Sequence, residues 1–282
     1  MTRQPRSARS RGFTLIELLI AVLIISILAT LVTLGVTKAM SYAKQVANKV
    51  EMGQIEQALG VAALEMGRVP YIPSYIKLCN DKTRYLGTSY DQMSLRMLTQ
   101  MFPNAWGVGL ENWNGGTDGA AGIYELAADK AYVYFLSGMA GNGFSAKGPP
   151  TSTAPGTKRF GPYFDFKQSR LVPDAKGFSQ YRDYWDNTNG FLVVYSQMMV
   201  GQSPPPFIDT PALPPVPSRQ FQSAAKYFQP KGYQIFSAGK DGIWGATGYG
   251  VTPFVGFVKN GDGLDADDQA NFAEDLLGKP MD

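Results

Sequence analysis

Residues 18–37 carry no charged side chain, and that run of 20 governs what the whole chain can become. As a helix it is long enough to cross the hydrocarbon core of a bilayer. Four arginines, Arg3, Arg6, Arg9 and Arg11, precede it, with no acid among residues 1–12. The positive-inside rule therefore keeps the N-terminus cytoplasmic and sends the bulk of the chain to the other side. A cleaved secretory signal fits poorly. The apolar core is too long, and Lys38, Ala39 and Met40 beyond it do not make a small-residue cleavage site. A plain signal anchor fits the hydropathy but leaves Glu17 unexplained. An unpaired carboxylate at the leading edge of an apolar run is costly in lipid, so Glu17 calls for a partner.

Composition narrows the function classes. The chain contains no histidine, which removes the commonest general base, the Ser-His and Cys-His pairs and the commonest metal ligand. Without the four leading arginines, 22 basic and 23 acidic residues leave a net charge of −1. The basic character belongs to residues 1–12, and the remainder has no bulk electrostatic reason to bind nucleic acid. Cys79 is the only cysteine, so no intrachain disulfide can hold the fold. As a single cysteine it reads as a small buried hydrophobe.

The sequence Arg11-Gly12-Phe13-Thr14-Leu15-Ile16-Glu17 resembles the processing site of type IV prepilins and type II secretion pseudopilins. The resemblance implies that a prepilin peptidase cuts after Gly12 on the cytoplasmic side and that the new terminus, Phe13, is N-methylated. It also implies that Glu17, fifth in the mature chain, pairs with the terminal ammonium of a neighbouring subunit during assembly. An apolar surrounding strengthens such a pair and makes it a setter of register, because an unpaired charge in a helix bundle is costly.

The helix is expected to continue past the membrane. Residues 38–67 lack proline and are rich in alanine and long helix formers. Apolar residues recur at helical spacing, first at Ala43, Val46, Ala47 and Val50, then at Ile55, Leu59, Ala62 and Met66. The second stripe is expected to pack on the sheet of a head domain, with Gly67 and Pro70 as the stop. The segment 54–70, with its Ala-Leu pair and closing Gly-Arg-x-Pro, resembles the end of the long helix in pseudopilins.

The expected organisation is a leader at 1–12, a membrane and filament-core helix at 13–37, its continuation at 38–67 and an exported head at 68–282. The fold class implied is α+β, a long N-terminal helix packed on an antiparallel sheet. Strand candidates are 131–136 (equally readable as a short helix), 162–166, 190–195 and 232–237, and 91–102 reads as an amphipathic helix. Residues 201–218 contain seven prolines and read as a semi-rigid spacer.

The run 233–242, YQIFSAGKDG, resembles the last-strand segment of the major type II pseudopilin. In that family a glycine- and acid-rich loop after this strand binds calcium in place of a disulfide. The corresponding region here holds Asp241, Asp262, Asp265, Asp267 and Asp268, and residues 260–282 contain seven acids and one lysine. Oxygen-rich, histidine-free clusters suit Ca²⁺, although the spacing does not match an EF-hand and the loop is longer than the family's usual one. A solvated acidic loop is the alternative.

The resulting expectation is a non-enzymatic structural subunit of a type II secretion pseudopilus. Its partners would be the prepilin peptidase, other pilin-like subunits, an inner-membrane assembly platform and the lipid bilayer. A type IV pilus subunit in adhesion, motility or DNA uptake is the close alternative. A membrane-anchored carbohydrate-binding or hydrolytic domain, using Trp106, Trp113, Trp185 or Trp244, is the reading from another class. The calcium expectation has a direct check in thermal unfolding of the purified protein. Added Ca²⁺ should raise the melting temperature, and an unchanged melting temperature would remove the ion from the account.

Overall fold

Helix α1 runs unbroken from Leu15 to Glu65. The computed structural model describes residues 13–85, 87, 89–105, 113–114, 122–138, 141–146, 150–152, 156, 158–185, 190–195, 221–223, 226–227, 229, 232–240, 242, 254–255 and 269–271. The chain divides into two units, residues 1–44 and 45–282. In the first, the side chains of α1 are exposed on every face, Leu18, Leu19, Leu23 and Leu31 among them. Among the described residues α1 is the one helix long and apolar enough to cross a membrane, and none of that apolar window is buried. Gly35, Gly53 and Gly60 are not close-packing points among the described residues. A methyl group added at any of them would meet nothing within 4 Å.

In the second unit the C-terminal part of α1 buries one face. Asn48, Glu51, Met52, Ile55, Ala58, Leu59, Ala62 and Ala63 lie on it, followed by Met66. The expected stripe Ile55, Leu59, Ala62 and Met66 is therefore the core-facing one. The earlier stripe is not. Val46 and Val50 are exposed, and the buried face at their level carries the polar Asn48 and Glu51. Hydropathy periodicity reads such a polar row as solvent-facing, because the partners that make it buriable lie far away in sequence. The helix stops at Gly67, whose φ of +79° favours glycine. A Cβ there would also lie 2.4 Å from the carbonyl oxygen of Gln100.

Strands β1 (Ile76–Cys79) and β2 (Ile123–Leu126) form an antiparallel pair, Ile76 opposite Leu126 and Cys79 opposite Ile123. Helix α2 (Ser89–Met101) packs beside β1 and matches the amphipathic helix expected there. Gln100 on α2 donates to the carbonyls of Gly67 and Arg68, which ties it to the end of α1.

Helix α3 (Ala131–Ser137) resolves the ambiguity at 131–136 in favour of helix. Ala131 through Leu136 are all buried, so no amphipathic period marked the segment. It closes at Gly138, whose N–H donates to Tyr134. Residues 162–166, read as a strand, form none. Pro162 has no N–H to give a ladder, the N–H of Tyr163 donates to Leu136 at 2.8 Å, and the chain then enters a 3-10 turn at Gln168–Arg170.

The other strands are short. The hairpin-like pairs are β3 (Phe144–Ser145) with β4 (Arg159–Phe160) and β5 (Leu171–Pro173) with β6 (Ser179–Tyr181). Strand β7 (Leu192–Tyr195), β8 (Phe221–Ser223), β9 (Lys226–Tyr227), β10 (Tyr233–Ser237), β11 (Phe254–Val255) and β12 (Gln269–Ala270) make two three-stranded sheets, in the orders β12-β10-β7 and β11-β8-β9. The strands expected at 190–195 and 232–237 are thus partners, Gln234 opposite Val194 and Phe236 opposite Leu192. The α+β layout holds, with the strands spread over small sheets. Among the described residues the strand pairs are antiparallel except β8 with β11. The Pro-rich segment 201–218 lies outside the described residues.

One continuous core joins α1 to the rest of this unit. Met52, Ile55, Leu59 and Met66 share it with Tyr132, Phe135 and Leu136 of α3, Phe191 and Ile235. Leu59 has no exposed surface, whereas Val50 is 57% exposed. Leu59→Ala should lower unfolding stability by about 2–5 kcal/mol. Val50→Ala should stay within about 0.5 kcal/mol of the parent, as surface substitutions do. Chemical denaturation of the detergent-solubilised protein distinguishes the two.

Candidate functional site

The start of α1 is a reciprocal cap. Thr14 precedes the first helical residue, Leu15, and Glu17 is the third residue of the helix. The Glu17 Oε2 accepts from the Thr14 N–H at 2.9 Å and from the Thr14 hydroxyl at 2.8 Å. The Thr14 Oγ1 in turn accepts from the Glu17 N–H at 3.3 Å. This is a capping box, which satisfies two of the amide groups that a helix start leaves orphaned. The negative carboxylate also lies at the positive end of the helix dipole. The pattern Thr-x-x-Glu before an apolar run was a readable signal for this start, and sequence reasoning passed over it in favour of intermolecular pairing alone. Glu17 is exposed, and its second oxygen, Oε1, has no partner among the described residues. Phe13 is 78% exposed and lies outside the helix. Gly12, the other residue of the expected processing site, lies outside the described residues.

A second set of polar groups fixes α1 to the head. Arg170 grips Glu51 with both ends of its guanidinium, Nη1 to Oε1 at 3.0 Å and Nη2 to Oε2 at 2.6 Å. Their side chains are 11% and 7% exposed. The Tyr181 hydroxyl donates to the same Glu51 Oε1 at 3.0 Å. Arg170 also donates through Nε to the carbonyl of Arg182 at 2.8 Å. Its guanidinium lies 4.3 Å and 4.2 Å from the ring centres of Tyr181 and Tyr184. Burial opposes the Arg170 charge, but the hydrogen bonds and charge of Glu51 outweigh it and hold the pKa above its ordinary value. Burial, with the Glu51 charge second, raises that of Tyr181.

One turn earlier, Asn48 continues the row. Its Nδ2 donates to Gln269 Oε1 at 3.0 Å and Ser237 Oγ at 3.3 Å, and its Oδ1 accepts from the Tyr184 N–H at 2.9 Å. The Ser237 hydroxyl donates to Asp183, a fully buried carboxylate that also accepts from the Trp185 N–H. Further along, Asn271 Nδ2 donates to Glu56 Oε2 at 2.9 Å and to the Tyr233 carbonyl at 2.9 Å. Three polar residues of α1, at 48, 51 and 56, are thus read individually by residues between Arg170 and Asn271.

The remaining expected sites divide plainly. Asp241, Asp262, Asp265, Asp267 and Asp268 lie outside the described residues, as do Trp106 and Trp244. Among the described residues no group of three histidine, cysteine or acidic side chains comes together to hold a metal. Cys79 is buried and reduced in the expected way, with its carbonyl accepting from Trp113 Nε1 at 3.0 Å.

Residues 7–33 match the family model described as the prokaryotic N-terminal methylation motif, the signature of type IV pilins and pseudopilins. No curated protein and no solved structure matches the chain. The matched stretch includes Gly12, Phe13, Thr14 and Glu17 and the greater part of the apolar run.

The buried pair gives a test of the second set. Glu51→Leu strands Arg170 in the interior, Arg170→Met strands Glu51, and each single change should cost about 3–5 kcal/mol in unfolding stability. The double variant Glu51→Leu with Arg170→Met removes both charges and should be less destabilised than either single change. Denaturant unfolding of the four proteins measures the coupling.

Proposed function

We propose that this chain, a bearer of the type IV pilin and pseudopilin signature, is a structural subunit of a type II secretion pseudopilus. The observation that carries the proposal is the N-terminal motif at residues 7–33 ahead of a 51-residue helix. In this reading a prepilin peptidase removes residues 1–12, Phe13 becomes the methylated terminus, and α1 passes from the cytoplasmic membrane into a filament on an inner-membrane platform. The N-terminus is cytoplasmic before cleavage and the head lies on the far side. The work is mechanical, and no catalytic residue is assigned.

The cap supports a specific role for Glu17. Its Oε2 is committed to Thr14 within the same subunit, while Oε1 is open. A carboxylate offers enough lone pairs to keep the intrasubunit cap and still accept a neighbour's ammonium. Glu17 then serves helix start and subunit register together. Cys79 alone cannot form the disulfide that closes many pilin heads, and the run 233–242 resembles the major pseudopilin's last strand. Both favour the pseudopilus over a type IV pilus, which is the second reading. Calcium held by the acidic C-terminal segment belongs to this proposal.

Intact mass and N-terminal analysis of the membrane-extracted protein, with and without co-expressed prepilin peptidase, decides the pathway. The expected product begins at methylated Phe13 only when the peptidase is present. A chain that retains its four-arginine leader despite active peptidase would reduce α1 to an ordinary anchor. Glu17→Ala should leave membrane insertion intact and abolish incorporation into filaments, scored by shearing and immunoblotting.

A further inference from the structure

The second unit contains a half-open cavity of about 650 Å³, a size that suits an ordered small ligand. Its walls come from α3, the segment 162–168, the β5–β6 hairpin and Trp113 with Asn114. Six aromatic side chains line it, Trp113, Tyr134, Tyr163, Phe164, Phe166 and Phe178. Four of them are almost wholly buried, and Tyr163 and Phe164 are half-buried.

The rings brace one another. Tyr134 meets Phe178 edge-on at 5.4 Å between centres, and Phe164 meets Phe166 at 4.7 Å. The turn that carries Phe178 is fixed as well. Asp174 accepts from the N–H groups of Lys176 and Phe178 at 2.8 Å and 3.0 Å and pairs with Lys130 at 2.8 Å. Asn114 Nδ2 reaches the Lys176 carbonyl at 3.1 Å. A cavity held in this way is formed before any ligand arrives, so binding does not have to order it.

Two polar side chains at the cavity are uncommitted. Asp165 and Gln168 are exposed and make no hydrogen bond or ion pair among the described residues. The described lining contains no lysine and no arginine, which disfavours a phosphate or other anion beside the Asp165 carboxylate. Besides that one acid, the polar lining is neutral, from Asn114, Gln168, Ser137 and Ser179. The ligand that satisfies rings, an amide and a single carboxylate together has apolar C–H faces and hydroxyl edges on the same molecule. A sugar ring has both.

We infer that this cavity is a binding site for a neutral glycan chain, with the half-buried rings of Tyr163 and Phe164 at its mouth receiving sugar faces, the buried rings behind them forming the wall, and Asp165 and Gln168 taking hydroxyl or acetamido groups. The inference is independent of how the N-terminal helix is used. It gives the head a ligand of its own, separate from assembly.

The test uses the full chain in a detergent without a sugar headgroup, with saturation-transfer NMR and titration of chitotriose, maltotriose and cellotriose. At least one trisaccharide should bind saturably. The double variant Asp165→Ala with Gln168→Ala should weaken that binding tenfold or more. Both side chains are exposed, so its melting temperature should equal the parent's. Absence of binding by all three sugars would overturn the inference, as would binding that the double variant leaves unchanged. Choline and a peptide of residues 201–218 serve as competitors. Displacement of the bound sugar by either would assign the cavity to a quaternary ammonium or to a proline-rich segment and overturn the glycan reading.

Discussion

A carboxylate on α1 and a guanidinium on the head, both taken out of water, set where the head grips its helix. The Glu51–Arg170 pair is bidentate and nearly fully buried, and Tyr181 occupies a further acceptor position on the carboxylate. Its net worth in stability is small, because desolvation consumes most of the attraction. Its worth in specificity is larger. The apolar stripe of Ile55, Leu59, Ala62 and Met66 repeats every three to four residues, so a shift by one turn would bury similar side chains again. The polar row cannot shift in that way. Moving Glu51 one turn would leave both it and Arg170 buried without a partner, and Asn48 and Glu56 add the same penalty above and below.

This division of labour follows from the two environments of one helix. Over residues 18–37 α1 carries no charge, and its side chains are exposed on every face among the described residues. Only lipid or other helices can cover them. From residue 45 onward the helix is one-sided, and the head covers a single face. The opposite face keeps Val46, Val50, Val61 and Leu64 exposed. A helix built in this way leaves most of its apolar surface without cover among the described residues.

The sequence disclosed α1 and its core stripe because helical periodicity is local, and it disclosed the paired strands at 192–195 and 233–237 because their apolar runs are bounded by turn residues. The helix long and apolar enough to cross a membrane was also legible, since hydropathy is additive along the chain. What it did not disclose depends on partners distant in sequence. Nothing local marks Asn48 and Glu51 as buried, because their partners Arg170, Tyr184 and Gln269 lie more than 100 residues away. The helix at Ala131–Ser137 looked equally like a strand, because complete burial erases any period. The cavity is a still later consequence, because its aromatic residues come from four separate segments that only tertiary packing brings together.

The capping box bears on how a protease can approach the chain. Peptide bonds are cut in extended conformation, because a helical backbone has already spent its carbonyls and amides on itself and hides the bond among them. Thr14 turns its own side chain and amide onto Glu17 and so stops α1 from growing backward by another turn. Phe13 is left outside the helix, on the far side of that stop. A residue that serves as the cap therefore also draws the line between chain that a peptidase can thread into its cleft and chain that it cannot.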